Sequence, residues 1–225
     1  MSTKWVYRII TGLAIAATLY ILFPNTEPNP RPTFWNIEAK DNLSVLDISL
    51  HNSSLEQAIK ILKAHPDIAL FTTQQQKGEP EPDMHLEAYF DDVFDDGDRI
   101  ILGLDAGPDL LHHIKKEAYH PEIFPNHVIR VGIQERLIPD ILKLPIRSIT
   151  IVAERSIMFE DFKAKYGEPD KLVDDGQGNA HFLYPALGLD LIQPAGGEQV
   201  LQFVSPETFV QELLEPLLKT QHKDK

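Results

Sequence analysis

Ser44-Val45-Leu46-Asp47-Ile48-Ser49-Leu50 alternates polar and apolar side chains as a half-buried strand does, and Asn52-Ser53-Ser54 then caps a helix carrying Leu55, Ala58, Ile59 and Leu62 at helical spacing. That helix ends at His65-Pro66-Asp67, and Ile68-Ala69-Leu70-Phe71 resumes as a strand. About a hundred residues later the order returns. Ser148-Ile149-Thr150-Ile151-Val152 reads as a strand, Ser156 as the cap of a helix with Ile157, Phe159 and Phe162, and Tyr166-Gly167-Glu168-Pro169-Asp170 as its end before Leu172-Val173. From serine to proline the spacing is 12 residues in the first copy and 13 in the second.

Hairpin material follows each copy. In the first, His85 to Phe90 and Arg99 to Leu104 flank the turn Asp95-Asp96-Gly97-Asp98; in the second, Asp175-Gly176, Gly188 and Gly196-Gly197 separate the runs 180–184, 189–192 and 199–204. Strand, helix, strand and hairpin thus occur twice. The pattern predicts an α+β fold of two similar modules with antiparallel sheet, spanning 36–106 and 147–205, joined by a helical segment over 107–146. In that segment Gly107-Pro108-Asp109 opens a helix through Tyr119, Val128 to Val131 is a strand, and Ile138 to Leu144 a short helix stopped by Pro145. Ser205-Pro206-Glu207 starts a C-terminal helix and tail over 206–225, with Phe209, Val210, Leu213, Leu214 and Leu217 in one stripe, Pro216 set to kink or shorten it, and Thr220 to Lys225 expected to fray. The stripe is expected to pack on the sheet, docking to a partner being the alternative.

A short helix, Gly-x-Pro-Asp at 167–170, a strand with Phe182 and Tyr184, and a further hairpin resemble the small α+β module of BamE/SmpA-type envelope proteins. A tandem of such modules is similar to the architecture of the β-lactamase inhibitory protein. The resemblance implies envelope scaffolding or protein binding rather than catalysis. It departs from the lipoprotein pattern in having no lipobox cysteine, and it carries over no functional residue.

Ahead of the modules, Trp5 to Phe23 is apolar apart from Arg8, Thr11, Gly12 and Thr18, close to the ~20 residues a membrane span needs if Arg8 snorkels to the headgroups. Lys4 and Arg8 at its start place Met1 in the cytoplasm. Ala14-Ile15-Ala16 is the nearest cleavage-like tripeptide and falls in mid-run, so residues 1–23 read as an uncleaved signal anchor rather than a cleaved signal peptide. Pro24, Pro28, Pro30 and Pro32 make 24–35 a stalk that polyproline II geometry, at ~3.1 Å per residue, would extend. These readings place the chain in the inner membrane of a Gram-negative-like envelope, single-pass, with a periplasmic C-terminal domain.

The whole chain has 21 basic and 34 acidic residues, a net charge of −13; removing Lys4, Arg8, Arg31 and Glu27 leaves 18 against 33 beyond residue 32, a net of −15. Such a surface lacks the clustered Lys and Arg that nucleic acid requires and is repelled by anionic headgroups. With no cysteine, disulfides, thiolate metal sites and cysteine nucleophiles are excluded.

His113, Glu117 and His120 stand at i, i+4 and i+7, with His112 close by, so a continuous helix would bring two imidazoles and a carboxylate to one face. The trio reads either as a solvated helix flank or as a zinc site. Asp91, Asp92, Asp95, Asp96 and Asp98 supply hard oxygen donors, but with Gly97 in sixth position Phe94 and Gly103 fall where an EF-hand needs ligands. A hairpin turn is the expected role. No Gly-x-Ser-x-Gly elbow and no phosphate loop occur, so no catalytic residue and no cofactor is assigned. Tyr184, Phe182 and Tyr89 are expected to pack inward, with partner contact as the alternative. The leading expectation is a membrane-anchored envelope protein whose α+β domain binds another envelope protein. A ligand- or metal-binding sensor stands second and an envelope hydrolase third, and no small-molecule substrate is identified.

Overall fold

A computed structural model describes residues 37–39, 43–73, 83–91, 93, 97–117, 119–124, 128–154 and 159–221. The expected signal anchor over 1–23 and the stalk over 24–35 lie outside the described residues. Among the described residues no helix is long and apolar enough to cross a membrane.

The fold is α+β and is built on one ten-stranded antiparallel sheet. Its first helix, α1 (Leu55–Leu62), is capped by Ser54, whose hydroxyl accepts from the Gln57 amide while the Gln57 side chain accepts from the Ser54 amide. Three strands follow as a meander, β4 (Asp67–Thr73), β5 (Met84–Phe90) and β6 (Arg99–Leu104), and β6 pairs next with β9 (Ile146–Ala153). The later helix, α4 (Phe159–Tyr166), precedes a second meander of β10 (Lys171–Asp174), β11 (Asn179–Tyr184), β12 (Leu189–Pro194) and β13 (Gln199–Phe203). The two sets of four meet where β9 pairs with β13, from Ile149 opposite Phe203 to Ala153 opposite Gln199. The sheet runs without a break across residue 147, where the second module was expected to begin.

Between β6 and β9 lie α2 (Pro108–Lys116), the hairpin of β7 (Tyr119–Ile123) and β8 (Val128–Gly132), and a 3-10 turn that leads into the short helix α3 (Ile138–Ile141). β8 pairs with β4, so this hairpin extends the sheet to an edge at β7, and β10 forms the other edge. The helix expected through Tyr119 ends at Lys116, because Glu117 closes it with an amide bonded back to the His113 and Ile114 carbonyls, and Tyr119 already pairs with Gly132 in β8.

The run at 44–50 is two strands rather than one. β2 (Leu43–Val45) and β3 (Ile48–Ser49) fold back about Leu46 and Asp47, both at positive φ (56° and 62°), and β1 (Glu38–Ala39) completes a small three-stranded sheet. A two-residue turn with both residues left-handed matches the twist of a hairpin, and Asn or Gly is its usual sequence mark; Leu46 carries none. Val45, Leu46, Ile48 and Leu50 are all buried, so burial holds the turn where local preference does not.

One face of the large sheet builds the main core. Leu70, Leu86, Phe90, Ile100, Ile151 and Phe203 are fully buried there, beneath Leu55 and Ala58 of α1, Ile114 of α2, Phe162 of α4 and the small sheet. Phe162 meets Tyr184 edge-on at 5.2 Å and Phe159 meets Phe182 at 4.1 Å, which places the β11 aromatics inward as expected. At the C-terminus, residues 210–214 form a π-helical turn before α5 (Glu215–Gln221). Pro216 has no amide to donate and its ring crowds the carbonyl four residues back, so the wider turn lets the helix continue through it. Phe209, with Leu213, Leu214 and Leu217, packs on Val173, Leu183 and Val204 as a second, smaller cluster.

Truncating Phe203 to alanine is expected to remove about 3–5 kcal/mol of unfolding free energy through the cavity left in the core. Val200→Ala, on the same strand but facing away, is expected to cost about 1 kcal/mol or less. Urea denaturation of the two variants checks the difference.

Candidate functional site

Strand alternation sends every second residue of the sheet away from the core. The register aligns these residues in cross-strand rows. One row runs Asp67, Tyr89, Ile101, Thr150, Gln202, Asp190, Leu183; its neighbour runs Arg99, Val152, Val200, Ile192, His181, Val173. A further row places Arg130, Phe71 and His85 side by side, with the Phe71 and His85 rings stacked at 5.7 Å.

The C-terminal helix covers only one end of this face. Its Phe209 cluster seats on Leu183 and Val173, and Glu212 pairs with Arg147 at the start of β9, 3.2 Å away. Phe71, Ile101, Val152, Val200 and Ile192 belong to neither hydrophobic cluster and stay half-buried, while Tyr89 is 37% exposed. The expectation that Tyr89 packs inward is therefore corrected. Phe90, its neighbour in β5, holds the inward position, and period-two alternation turns Tyr89 out, where its hydroxyl donates to Asp91 at 3.2 Å. Polar groups frame the apolar stripe: Arg99 pairs with Glu198, Arg130 with Asp67, and His85 with Glu87.

The sheet edges are less suited to adding a strand. β7 contains Pro121, which has no amide, and shifts register between Tyr119 and Glu122. β10 is four residues long and carries Lys171 and Asp174 beside the exposed Leu172.

Near the covered end lies a polar cluster that the sequence reading missed. His181 Nδ1 lies 2.7 Å from Asp190 Oδ2, and His181 Nε2 lies 3.8 Å from Asp175 Oδ2, with all three residues buried. Burial alone would lower the His181 pKa, but the Asp190 hydrogen bond and the charges of Asp190 and Asp175 outweigh it and raise it. Burial likewise pushes Asp175 up, but bonds from the Asn179 side chain and the Asn179 and Gln177 amides, with the His181 charge, bring it below its ordinary value. The sequence signal was Asp190, the one polar residue inside Leu189-Asp190-Leu191-Ile192.

The trio His113, Glu117 and His120 is divided between two elements. His113 Nε2 approaches Glu117 Oε1 at 3.7 Å, but Glu117 binds Arg136 through its other oxygen, and that bond holds its carboxyl below the usual range. His120 sits on β7 at positive φ (47°), its ring edge-on to Tyr119 at 4.9 Å. Among the described residues no group of three His, Cys, Asp or Glu is arranged to hold a metal ion. Of the acidic run, Asp92, Asp95 and Asp96 lie outside the described residues, and buried Asp98 accepts the Glu154 amide at 2.9 Å.

At the sheet's far end, a cleft of about 580 Å³ opens beside α1, β7, β8 and α3. Ile59, Ile68, Ile133, Ile138, Leu142 and Tyr119 supply its apolar wall. Set against protein-family models, curated proteins and solved structures, the chain matches none.

The raised His181 pKa fixes a sign. Stability gained by protonating His181 in the fold is fully present below its unfolded value, near 6.5, and is lost as pH rises through the higher folded value. The wild-type chain is therefore expected to lose more unfolding free energy than His181→Gln on going from pH 6 upward. His85, which Glu87 also raises, is common to both proteins and cancels. Chemical denaturation at a series of pH values measures the difference; parallel curves would contradict the assignment.

Proposed function

We propose that the chain is a single-pass inner-membrane protein, anchored by residues 1–23 with Met1 in the cytoplasm, whose periplasmic domain holds another envelope protein against the open face of its sheet. The observation that carries this reading is the stripe of Phe71, Tyr89, Ile101, Val152, Val200 and Ile192, exposed or half-buried on a face framed by charged pairs. An apolar centre with a polar rim is the pattern of a protein-binding surface. The two helix-and-meander units support a reading as tandem small α+β modules of BamE/SmpA type. The shortness of β10 and the proline in β7 favour the face over strand addition. The cleft beside α1 supports a second reading, a ligand-binding domain.

Crosslinked, mildly solubilised membranes test the proposal with three chains: full length, a chain ending at Pro32, and full length with Ile101→Asp and Val200→Asp. The full-length chain is expected to retain an envelope protein in stoichiometric amount. Both others should lose it, the double variant keeping its far-UV circular dichroism. Retention by the double variant would contradict the sheet-face reading, and retention by the chain ending at Pro32 would contradict a role for the domain.

A further inference from the structure

The cleft beside α1 holds charges whose balance selects a ligand. Its carboxylates are Glu56, Asp67 and Glu135, and its bases are Lys60 and Arg130, with His65 and His120 also in the lining. Both bases are already paired within the lining. Lys60 Nζ lies 2.7 Å from Glu56 Oε1, and Arg130 binds Asp67. Three carboxylates against two bases, with both imidazoles counted neutral, leave a net charge of −1.

The surplus carboxylate is Glu135. It is exposed at the start of the 3-10 turn and makes no ion pair among the described residues. Arg136, next in the chain, is held by Glu117. Ile133 and Tyr119, the latter 44% exposed, share the lining with Glu135, and the same three residues also line a neighbouring hollow of about 410 Å³. A carboxylate, an accessible aromatic ring and an apolar wall together suit an ammonium group carried on an apolar body, the ring contributing through its negative face. An anion would meet bases already neutralised and a chain of net charge −13.

We propose that this cleft binds a small primary amine with an aliphatic or aromatic body, its ammonium group taken by Glu135 beside Tyr119 and its body laid against Ile59, Ile68 and Ile133. This inference does not rest on the proposed partner of the sheet face, although the Arg130–Asp67 pair borders both sites. It needs neither a metal nor a covalent step.

The full-length chain in lipid nanodiscs is titrated calorimetrically with 2-phenylethylamine and, separately, with 3-phenylpropanoate, empty nanodiscs serving as the blank. The amine is expected to bind about tenfold more tightly than the carboxylate. Glu135→Gln should weaken the amine about fivefold, the scale of a partly exposed charge pair. Glu122→Gln, on β7 but outside the lining, should leave it unchanged, and Ile59→Trp, which fills the cleft, should abolish it while the circular dichroism is retained. Carboxylate binding as tight as amine binding, an unchanged amine affinity in Glu135→Gln, or no heat from the amine at millimolar concentration would each overturn the proposal.

Discussion

The pairing of β9 with β13 is the constraint on which the rest of the fold depends. Each set of four strands, β4-β5-β6-β9 and β10-β11-β12-β13, would alone end in an unpaired edge, and a long exposed edge invites association with other chains. Joining the two last strands removes both edges at once. β9 then sits in the interior with neighbours on both sides, β6 and β13, and its sequence suits that place: Ile149 and Ile151 are buried in the core, with Thr150 and Val152 alternating outward. Because helices α1, α2 and α4 and the small sheet all lie on the Ile149 side, the opposite side is left to the C-terminal helix, which reaches only part of it.

That asymmetry connects packing to function. A sheet this wide with a core on one face must present alternate residues on the other, and those residues are usually polar when the face serves only as surface. Here the middle of the face carries valine, isoleucine, phenylalanine and tyrosine, with ion pairs to either side. Leaving this stripe half-buried adds little to the stability of the isolated chain, and that is the observation behind the proposed covering partner. In the Asp175–His181–Asp190 cluster, His181 bonds Asp190, and Asp175 accepts from the Asn179 side chain and from the Asn179 and Gln177 amides, which offsets the cost of burying these groups. The cleft beside α1 adjoins the β7–β8 hairpin and shares the Arg130–Asp67 pair with the frame of the open face.

Much of the fold was legible in the sequence because local signals and burial agreed. The Ser54 cap, the Pro-Asp helix stops, the alternation in β5 and the glycine-marked turns of β10 to β13 all identified their elements. The features that were not legible are those where tertiary packing overrode local preference. Leu46-Asp47 turns back on itself although leucine disfavours the left-handed backbone, because Leu46 and its apolar flanks are buried. β7 has no apolar alternation, since all five residues are exposed, and forms only because β8 offers it an edge. The reading of His113, Glu117 and His120 failed to anticipate the end of α2 because nothing between Lys115 and Tyr119 breaks helical periodicity. His181 and Asp190 are nine residues apart, and only the β11–β12 register makes them partners. The open face was not legible, as the inward expectation for Tyr89 illustrates, because which face the helices cover is decided by connections that sequence periodicity does not specify.

Native-state hydrogen exchange across the whole chain tests the central claim most directly, since it reads the cooperativity of the sheet strand by strand. The amides of β6, β9, β13 and β12 are expected to exchange together, with the free energy of global unfolding, because the β9–β13 pairing unites the two sets of strands in one unit. Exchange of β10 to β13 as a separate, less stable unit, with β9 amides facing β13 opening alongside it, would contradict the account.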